Sequence, residues 1–279
     1  MHLFVDSFTG NGWPLEEVDK SSLLEIKDVT KWFGGVTALQ GLNLRVVPHE
    51  IVGLIGPNGA GKTTLFNVIS GNIRQDLGKM YFGSKNIDTL KPFERCRLGI
   101  ARTYQTVRPF LDFSVEQNLM IGARFGRGKD SLSGRDLDRL MDEILGYLSL
   151  RTKRHELAKN LTLVDRKLVE VARALATKPR LLLLDEVLSG LNPAELERAV
   201  QLIRELSLSF GLTIIWIEHI MQALLAICDR FVVLNYGIIL TEGRPTEVVA
   251  DERVIEAYLG RAGKKFVENM GQTDPHTKE

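Results

Sequence analysis

The chain has 279 residues, 44% of them apolar and 25% charged, and a formal net charge of +1. That length holds one large or two small domains, and the composition is that of an ordinary globular protein. The balanced charge supplies no global basic field, so no nucleic-acid partner is expected, and no apolar stretch approaches the ~20 residues of a membrane-spanning helix.

Residues 1–22 show no sustained period and read as an N-terminal extension; a basic region followed by an apolar core is missing there, so no secretory signal is expected. Leu24–Val29 and Val36–Val47 read as strands of an early β-rich segment. Ile51–Ile55 is an apolar strand, and Gly56-Pro57-Asn58-Gly59-Ala60-Gly61-Lys62-Thr63-Thr64 follows it. Leu65, Phe66, Val68 and Ile69 then open a helical pattern. Strand, glycine-rich loop and helix in this order distinguish a nucleoside-triphosphate loop from a chance glycine turn. Glycines at 56, 59 and 61 let the backbone curl around phosphate oxygens, and the loop amides and helix N-terminus supply positive potential. Lys62 is expected to reach the β- and γ-phosphates, and Thr63 to hold Mg²⁺.

Lys79–Phe82 and Ile100–Tyr104 are further strand candidates, and Ser114–Ala123 reads as a helix. Leu137, Leu140, Met141, Ile144, Leu145 and Leu148 fall on one helical stripe, and Arg124–Ser133, rich in Gly, Ser and charge, reads as the loop before it. Residues from about 106 to 160 are therefore expected to form a helical subdomain inserted in an α/β core. Leu168, Val171, Ala172 and Leu175 make another stripe. Arg180–Asp185 is a continuous apolar strand of the kind buried on both faces of a parallel sheet. It ends in Asp185-Glu186, where one acid can hold the metal and the next can polarise an attacking water. Asn192, Pro193 and Glu195 suit the N-cap, N1 and N3 positions of the following helix. Leu212–Ile217 is the next buried strand, Phe231–Leu234 and Ile238–Leu240 read as a hairpin turning at Tyr236-Gly237, and Pro245–Ala250 and Arg253–Leu259 as short helices. Residues 261–279 are a polar tail. The cysteines, Cys96 and Cys228, lie far apart and without metal-ligand company, which suits reduced thiols in a cytosolic chain.

In this order the segments resemble the nucleotide-binding subunit of an ATP-binding cassette (ABC) transporter, from about Leu23 to Gly260. The resemblance implies a P-loop core with a parallel sheet, an N-terminal antiparallel β segment, the inserted helical subdomain, and an ATPase domain spanning 23–260. It makes Gln105 the Q-loop residue that contacts metal and water, and His219, after Thr213–Ile217, the switch histidine at the γ-phosphate. Phe33 matches the aromatic that stacks on adenine; Trp32 competes for the role, and an aromatic there serves a core equally well. Metal contacts then fall to Thr63, Gln105 and Asp185, and catalysis to Glu186, His219, Gln105 and Lys62. A closer resemblance joins the chain to the ATPases of branched-chain amino acid uptake systems. Lys31-Trp-Phe-Gly-Gly, Ile100-Ala-Arg-Thr-Tyr-Gln105, Val115-Glu-Gln-Asn-Leu119, Ala172-Arg-Ala-Leu-Ala176, Gly190-Leu-Asn-Pro193 and Val254-Ile-Glu-Ala-Tyr-Leu-Gly260 carry it. It implies an importer, with separate membrane permease subunits, a second ATPase subunit and an extracytoplasmic solute-binding protein, the chain lying peripherally on the cytoplasmic face of the membrane. The segment Val107–Asn118 is the expected docking surface, with Phe110 and Phe113 either contact residues or core.

The pattern breaks at the signature. Where the family has Leu-Ser-Gly-Gly-Gln, this chain has Leu161-Thr162-Leu163-Val164-Asp165. In the family that segment touches the γ-phosphate on the opposite subunit of a dimer. Thr162 keeps a hydroxyl, but Leu163 and Val164 add side chains where glycine allows close approach. An Asp165 charge facing ATP would cost roughly 1–4 kcal/mol at surface-like dielectric. The alternative favoured here is that Thr162-x-x-Asp165 forms a capping box on its own helix. Val187 stands in place of a common proline, and Ser189-Gly190-Leu191-Asn192 in place of the Ser-Ala-Leu-Asp D-loop. A weak signature face favours a heterodimer with a second ATPase over a homodimer. Other readings are a translation or repair ATPase of the same superfamily, a P-loop kinase or GTPase, and a regulatory binder. No paired cassette or coiled-coil insertion supports the first, no Asn-Lys-x-Asp motif the second, and intact Glu186 and His219 oppose the third.

Overall fold

A computed structural model describes residues 22–127 and 134–258. Almost all of the expected N-terminal extension, most of the loop before residue 134, Leu259, Gly260 and the polar tail lie outside the described residues. Strands β1 (Leu24–Phe33), β2 (Val36–Val46), β4 (Leu77–Phe82) and β5 (Lys85–Asn86) form an antiparallel sheet in the order β2-β1-β4-β5. A second sheet runs β10-β9-β3-β8-β7-β6. Its members are β3 (Ile51–Ile55), β6 (Ile100–Arg102), β7 (Leu181–Asp185), β8 (Thr213–Ile217), β9 (Arg230–Asn235) and β10 (Ile238–Gly243). All its pairings are parallel except the β9–β10 hairpin.

The strands of this second sheet are apolar throughout because both faces are covered. Leu182, Leu184, Ile214, Trp216, Phe231 and Val233 enter one core; Leu181, Leu183, Ile215, Ile217, Val232 and Leu234 enter the other. Each strand thus alternates between two cores with period two. The second core fills the space between the sheets around helix α1 (Lys62–Ser70), through Leu65, Phe66, Val68 and Ile69. The first lies against α3 (Val115–Phe125), α4 (Gly134–Tyr147), α5 (Leu163–Ala176), α6 (Pro193–Phe210) and α7 (Met221–Ile227). Beside the edge strand β6 and α1, α2 (Pro92–Leu98) sends Arg95 inward. Its guanidinium donates to the last carbonyls of α1, Val68 and Ile69, and to Leu90 and Ile87. This satisfies acceptors that a helix end otherwise leaves orphaned. Burial draws the Arg95 pKa down to about 10.

The expected elements recur with shifted ends. β1 runs on past Val29 to Phe33, because Lys31, Trp32 and Phe33 pair with β2 across register shifts. The strand expected to reach Tyr104 stops at Arg102, where pairing with β7 ends. α3 extends to Phe125, so Arg124 and Phe125 are helix rather than loop. α5 packs along α3 and against α4, so the helical layer includes a helix beyond residue 160. The expected cap of α6 forms, Asn192 with Glu195 making a reciprocal capping box, and α3 has one that the sequence reading did not name, Ser114 with Gln117. α8 (Pro245–Val249) and a helix over 252–258 follow β10. Among the described residues no helix is long and apolar enough to cross a membrane, and Cys96 and Cys228 are unpaired.

Candidate active site

Parallel pairing of β3, β8, β7 and β6 points their C-terminal ends the same way, and the loop beyond each end carries one of the expected motifs. β3 feeds Gly56–Thr64. Gly56 has φ 147°, and a Cβ there would meet Leu234 O at 2.1 Å; Gly61 has φ 105°, and its Cβ would meet Ala38 O at 2.6 Å. Both positions demand glycine on conformation and on space. Gly61 is also the N-cap of α1, without a side-chain cap and without an acid in the first turn. The helix therefore presents its first amides uncapped, the arrangement that binds phosphate. Lys62 is buried, and its ammonium donates to Gly56 O at 2.6 Å and Pro57 O at 3.0 Å. Burial lowers its pKa, while Glu186 and Asp185 act in the opposite direction. Thr63, Asn58 and Gly59 are exposed, Pro57 and Thr64 half-buried, and Ala60 buried.

Glu186 is held between the two residues expected to flank it. Gln105 Nε2 donates to its Oε2 at 2.6 Å, and His219 Nε2 lies 2.9 Å from its Oε1. Glu186 has φ 50°, in the left-handed region. Such strain, of order 1–3 kcal/mol, persists where surrounding contacts over-determine it; here the Glu186 amide also bonds Ile217 O of β8 at 2.9 Å. Asp185 is different. Its Oδ2 accepts from Arg102 Nη2 at 2.8 Å, and both side chains are 5% exposed. Arg102 continues to Asn67 Oδ1 at 2.6 Å and lies across the Phe66 and Tyr104 rings.

Asp165 turns onto its own helix. Thr162 caps α5 by accepting from Asp165 N at 3.1 Å, and its hydroxyl donates to Asp165 Oδ2 at 2.7 Å. The carboxylate therefore bonds the cap hydroxyl, where a full capping box would use the cap amide, and Lys153 Nζ adds a contact at 2.6 Å. Burial opposes the Asp165 charge, but Lys153 and Thr162 outweigh it and hold the carboxyl below its usual range. Leu161 is buried, Leu163 is 60% exposed and Val164 is half-buried. The loop Ser189–Asn192 follows, with Ser189, Gly190 and Asn192 exposed and Leu191 half-buried. Phe33 lies at the turn end of the β1–β2 hairpin, pairing with Val36 across Gly34-Gly35, 47% exposed, with Lys31 Nζ 5.4 Å over its ring; Trp32 is 42% exposed. Phe110 and Phe113 are 46% and 42% exposed and pack on each other at 5.5 Å, so they belong to the surface.

Five contributors escaped the motif reading. Arg102 pairs with Asp185. Buried Glu218 accepts from Leu188 N at 2.6 Å and His219 N at 3.2 Å. Buried Glu170 accepts from Tyr104 N and Arg108 N. Lys167 donates to Val187 O and to Ser189. Tyr258 accepts from the Gly56 amide at 2.6 Å, tying the helix over 252–258 to the P-loop. Only Glu218, which directly precedes His219, carried a local signal in the sequence; Glu170 reaches Tyr104 and Arg108 from more than 60 residues away.

Fold and site together define a P-loop ATPase of the cassette type. The ABC transporter family profile matches residues 39–189, and a profile described as branched-chain amino acid ATP-binding cassette transporter matches residues 239–264. The chain is 36% identical over 251 residues to the high-affinity branched-chain amino acid transport ATP-binding protein LivG of Escherichia coli, covering 86% of this chain and 98% of that protein. It is 34% identical, with the same coverage, to the corresponding protein BraF of Pseudomonas aeruginosa. A crystal structure of the ADP conformation of an ATP-binding cassette from an ABC transporter superposes with a TM-score of 0.77 at 32% identity, covering 86% of this chain and 99% of that one. The chain belongs to the ABC transporter family, as its ATP-hydrolysing subunit.

Proposed function

We propose that this chain hydrolyses ATP on the cytoplasmic face of a membrane to energise uptake of a small solute, of the branched-chain amino acid class, through separate permease subunits. The observation that carries the hydrolytic part is the Glu186 carboxylate held at 2.6 Å by Gln105 and 2.9 Å by His219 beside the P-loop. A carboxylate so placed can polarise the attacking water, and His219 can contact the γ-phosphate. Lys62 and the uncapped start of α1 bind and orient the phosphates, Asn58, Ala60 and Thr64 complete the loop around them, and exposed Phe33 offers a face to adenine. The Thr63 hydroxyl, the Gln105 amide oxygen and Asp185 Oδ1 are hard oxygen donors that fit Mg²⁺. Among the described residues no cluster of three or more His, Cys, Asp or Glu could hold a metal alone, so phosphates and water would complete the shell. When bound, the ion neutralises phosphate charge; Arg102 limits Asp185 to one free oxygen. The solute class rests on the relatives' names and on the match over residues 239–264.

Closure of a cassette dimer over ATP would carry the α3–α5 layer and the exposed Phe110–Phe113 segment against the permease. A second ATPase with a glycine signature would suit this chain, because Leu163, exposed at the start of α5, would stand on the face that approaches the partner's ATP. A solute-binding protein outside the membrane would complete the importer.

The test is steady-state ATP turnover by the complex that co-purifies with the tagged chain, together with leucine, isoleucine and valine uptake by cells carrying each variant. Lys62→Ala should abolish both. Glu186→Gln should lower turnover at least about 100-fold, the scale of a lost general base, while ATP still binds. Full turnover in Glu186→Gln would exclude this carboxylate as the base, and normal uptake in Lys62→Ala would exclude the transport role.

A further inference from the structure

Helix α5 begins at the signature and sends Lys167, Glu170 and Arg173 into neighbouring loops at intervals of one turn. Lys167 bonds carbonyls of the segment after Glu186. Arg173 Nη1 donates to Arg108 O at 2.9 Å, and its guanidinium lies 5.4 Å over the Phe110 ring. Between them Glu170 is 3% exposed. Its Oε1 accepts from Tyr104 N at 2.7 Å and its Oε2 from Arg108 N at 3.1 Å. The two amides lie on either side of Gln105. Neither a strand ladder nor a helix fixes residues 104–108, since β6 ends at Arg102 and α3 starts at Val115. The loop that carries Gln105 therefore takes its shape from a side chain. The task needs an acceptor-only group with two oxygens, which a carboxylate provides and an amide does not. Burial opposes the Glu170 charge and raises its pKa, while the two amides and the flanking guanidiniums of Arg173 and Arg108 support it.

We propose that Glu170 is a positioning residue for the reaction: by gripping both flanks of Gln105 it sets the Gln105 amide against Glu186, and it makes α5 the rigid link between the signature and the Q-loop. The proposal rests on the hydrolytic reading given above. It concerns kcat and leaves ATP binding alone, because the P-loop is built on β3 and α1 while Glu170 bonds the Tyr104 and Arg108 amides of the Gln105 loop. Misplacing a catalytic group by about 1 Å can cost 100-fold.

The experiment is a double-mutant cycle on the co-purified complex, comparing parent, Gln105→Ala, Glu170→Ala and the double variant, with kcat, KM for ATP and thermal midpoint measured on each. Glu170→Ala should lower kcat 10- to 100-fold with KM within about two-fold, and the double variant should turn over no more slowly than Gln105→Ala alone. Glu170→Gln keeps the packing and one acceptor oxygen, so it should fall between parent and Glu170→Ala even if the alanine variant is poorly folded. Parent-like kcat in both Glu170 variants would overturn the proposal. So would losses that multiply in the double variant, since a residue acting through Gln105 has nothing further to lose. Parent turnover that vanishes in Lys62→Ala establishes hydrolysis independently, so failure of that reading is told apart from failure of this one.

Discussion

Arg102 and Asp185 show how much of a site can hide from motif reading. The P-loop is legible because nine consecutive residues carry it, and the glycines at 56 and 61 are required by local backbone geometry and crowding. The Arg102–Asp185 contact joins residues 83 apart, and nothing local to Arg102 announces it. Two charges removed from water are tolerated only with close pairing, and breaking such a pair leaves an uncompensated charge. Arg102→Ala should therefore destabilise the fold by about 3–5 kcal/mol, measured as a shift of the urea midpoint at constant slope. Arg102→Met, which fills the space without restoring charge, should recover little of this loss. A loss below about 1 kcal/mol would mean that water reaches Asp185 and that the pair is effectively a surface one.

At the scale of the element, the start of α5 departs from the signature that the resemblance implies, and its residues cap the helix instead. The capping alternative for Thr162 and Asp165 is legible from their spacing; Lys153 is not, because it arrives from a short turn at residues 151–153. Thr162→Ala should cost about 0.5–2 kcal/mol, the usual loss for a helix cap. The pH dependence of Asp165→Asn separates the ion pair from the cap. A carboxyl held below its unfolded pKa contributes stability that is full above the ordinary value of 3.8 and is lost as pH falls through the lower folded value. Parent should thus exceed Asp165→Asn by about 0.5–1 kcal/mol near pH 7, and the two unfolding curves should converge in stronger acid. A gap that stays constant to the lowest pH at which both remain folded would mean the carboxylate charge does not support α5. Helix ends were the least legible part of the elements: α3 runs two residues past the expected Ala123 because helix geometry tolerates Arg124 and Phe125, whatever the composition that follows.

The whole molecule explains why motifs far apart in sequence make one site. Continuous apolar strands are legible as buried parallel strands, and their alternation between two cores follows from period two once both faces are covered. Strand order is not legible, since no local signal says that β3 lies between β8 and β9. The proposed choice of partner belongs to the same scale. In a symmetric pair every defect occurs twice, so Leu163 and Val164 would each meet a facing P-loop in both halves. Overpacking a close contact costs about 1–3 kcal/mol, which over two sites weakens a homodimer by a factor of roughly 30 or more at 1.4 kcal/mol per decade. A heterodimer whose second member carries glycines meets that cost once. With hydrolysis blocked by Glu186→Gln and ATP in excess, the chain alone should stay monomeric at micromolar concentration in sedimentation. Adding Leu163→Gly and Val164→Gly to that variant should shift it toward dimer. A stable ATP-dependent dimer of Glu186→Gln with its own Leu163 and Val164 in place would show that the signature face closes on itself, and the homodimer would then be the working form.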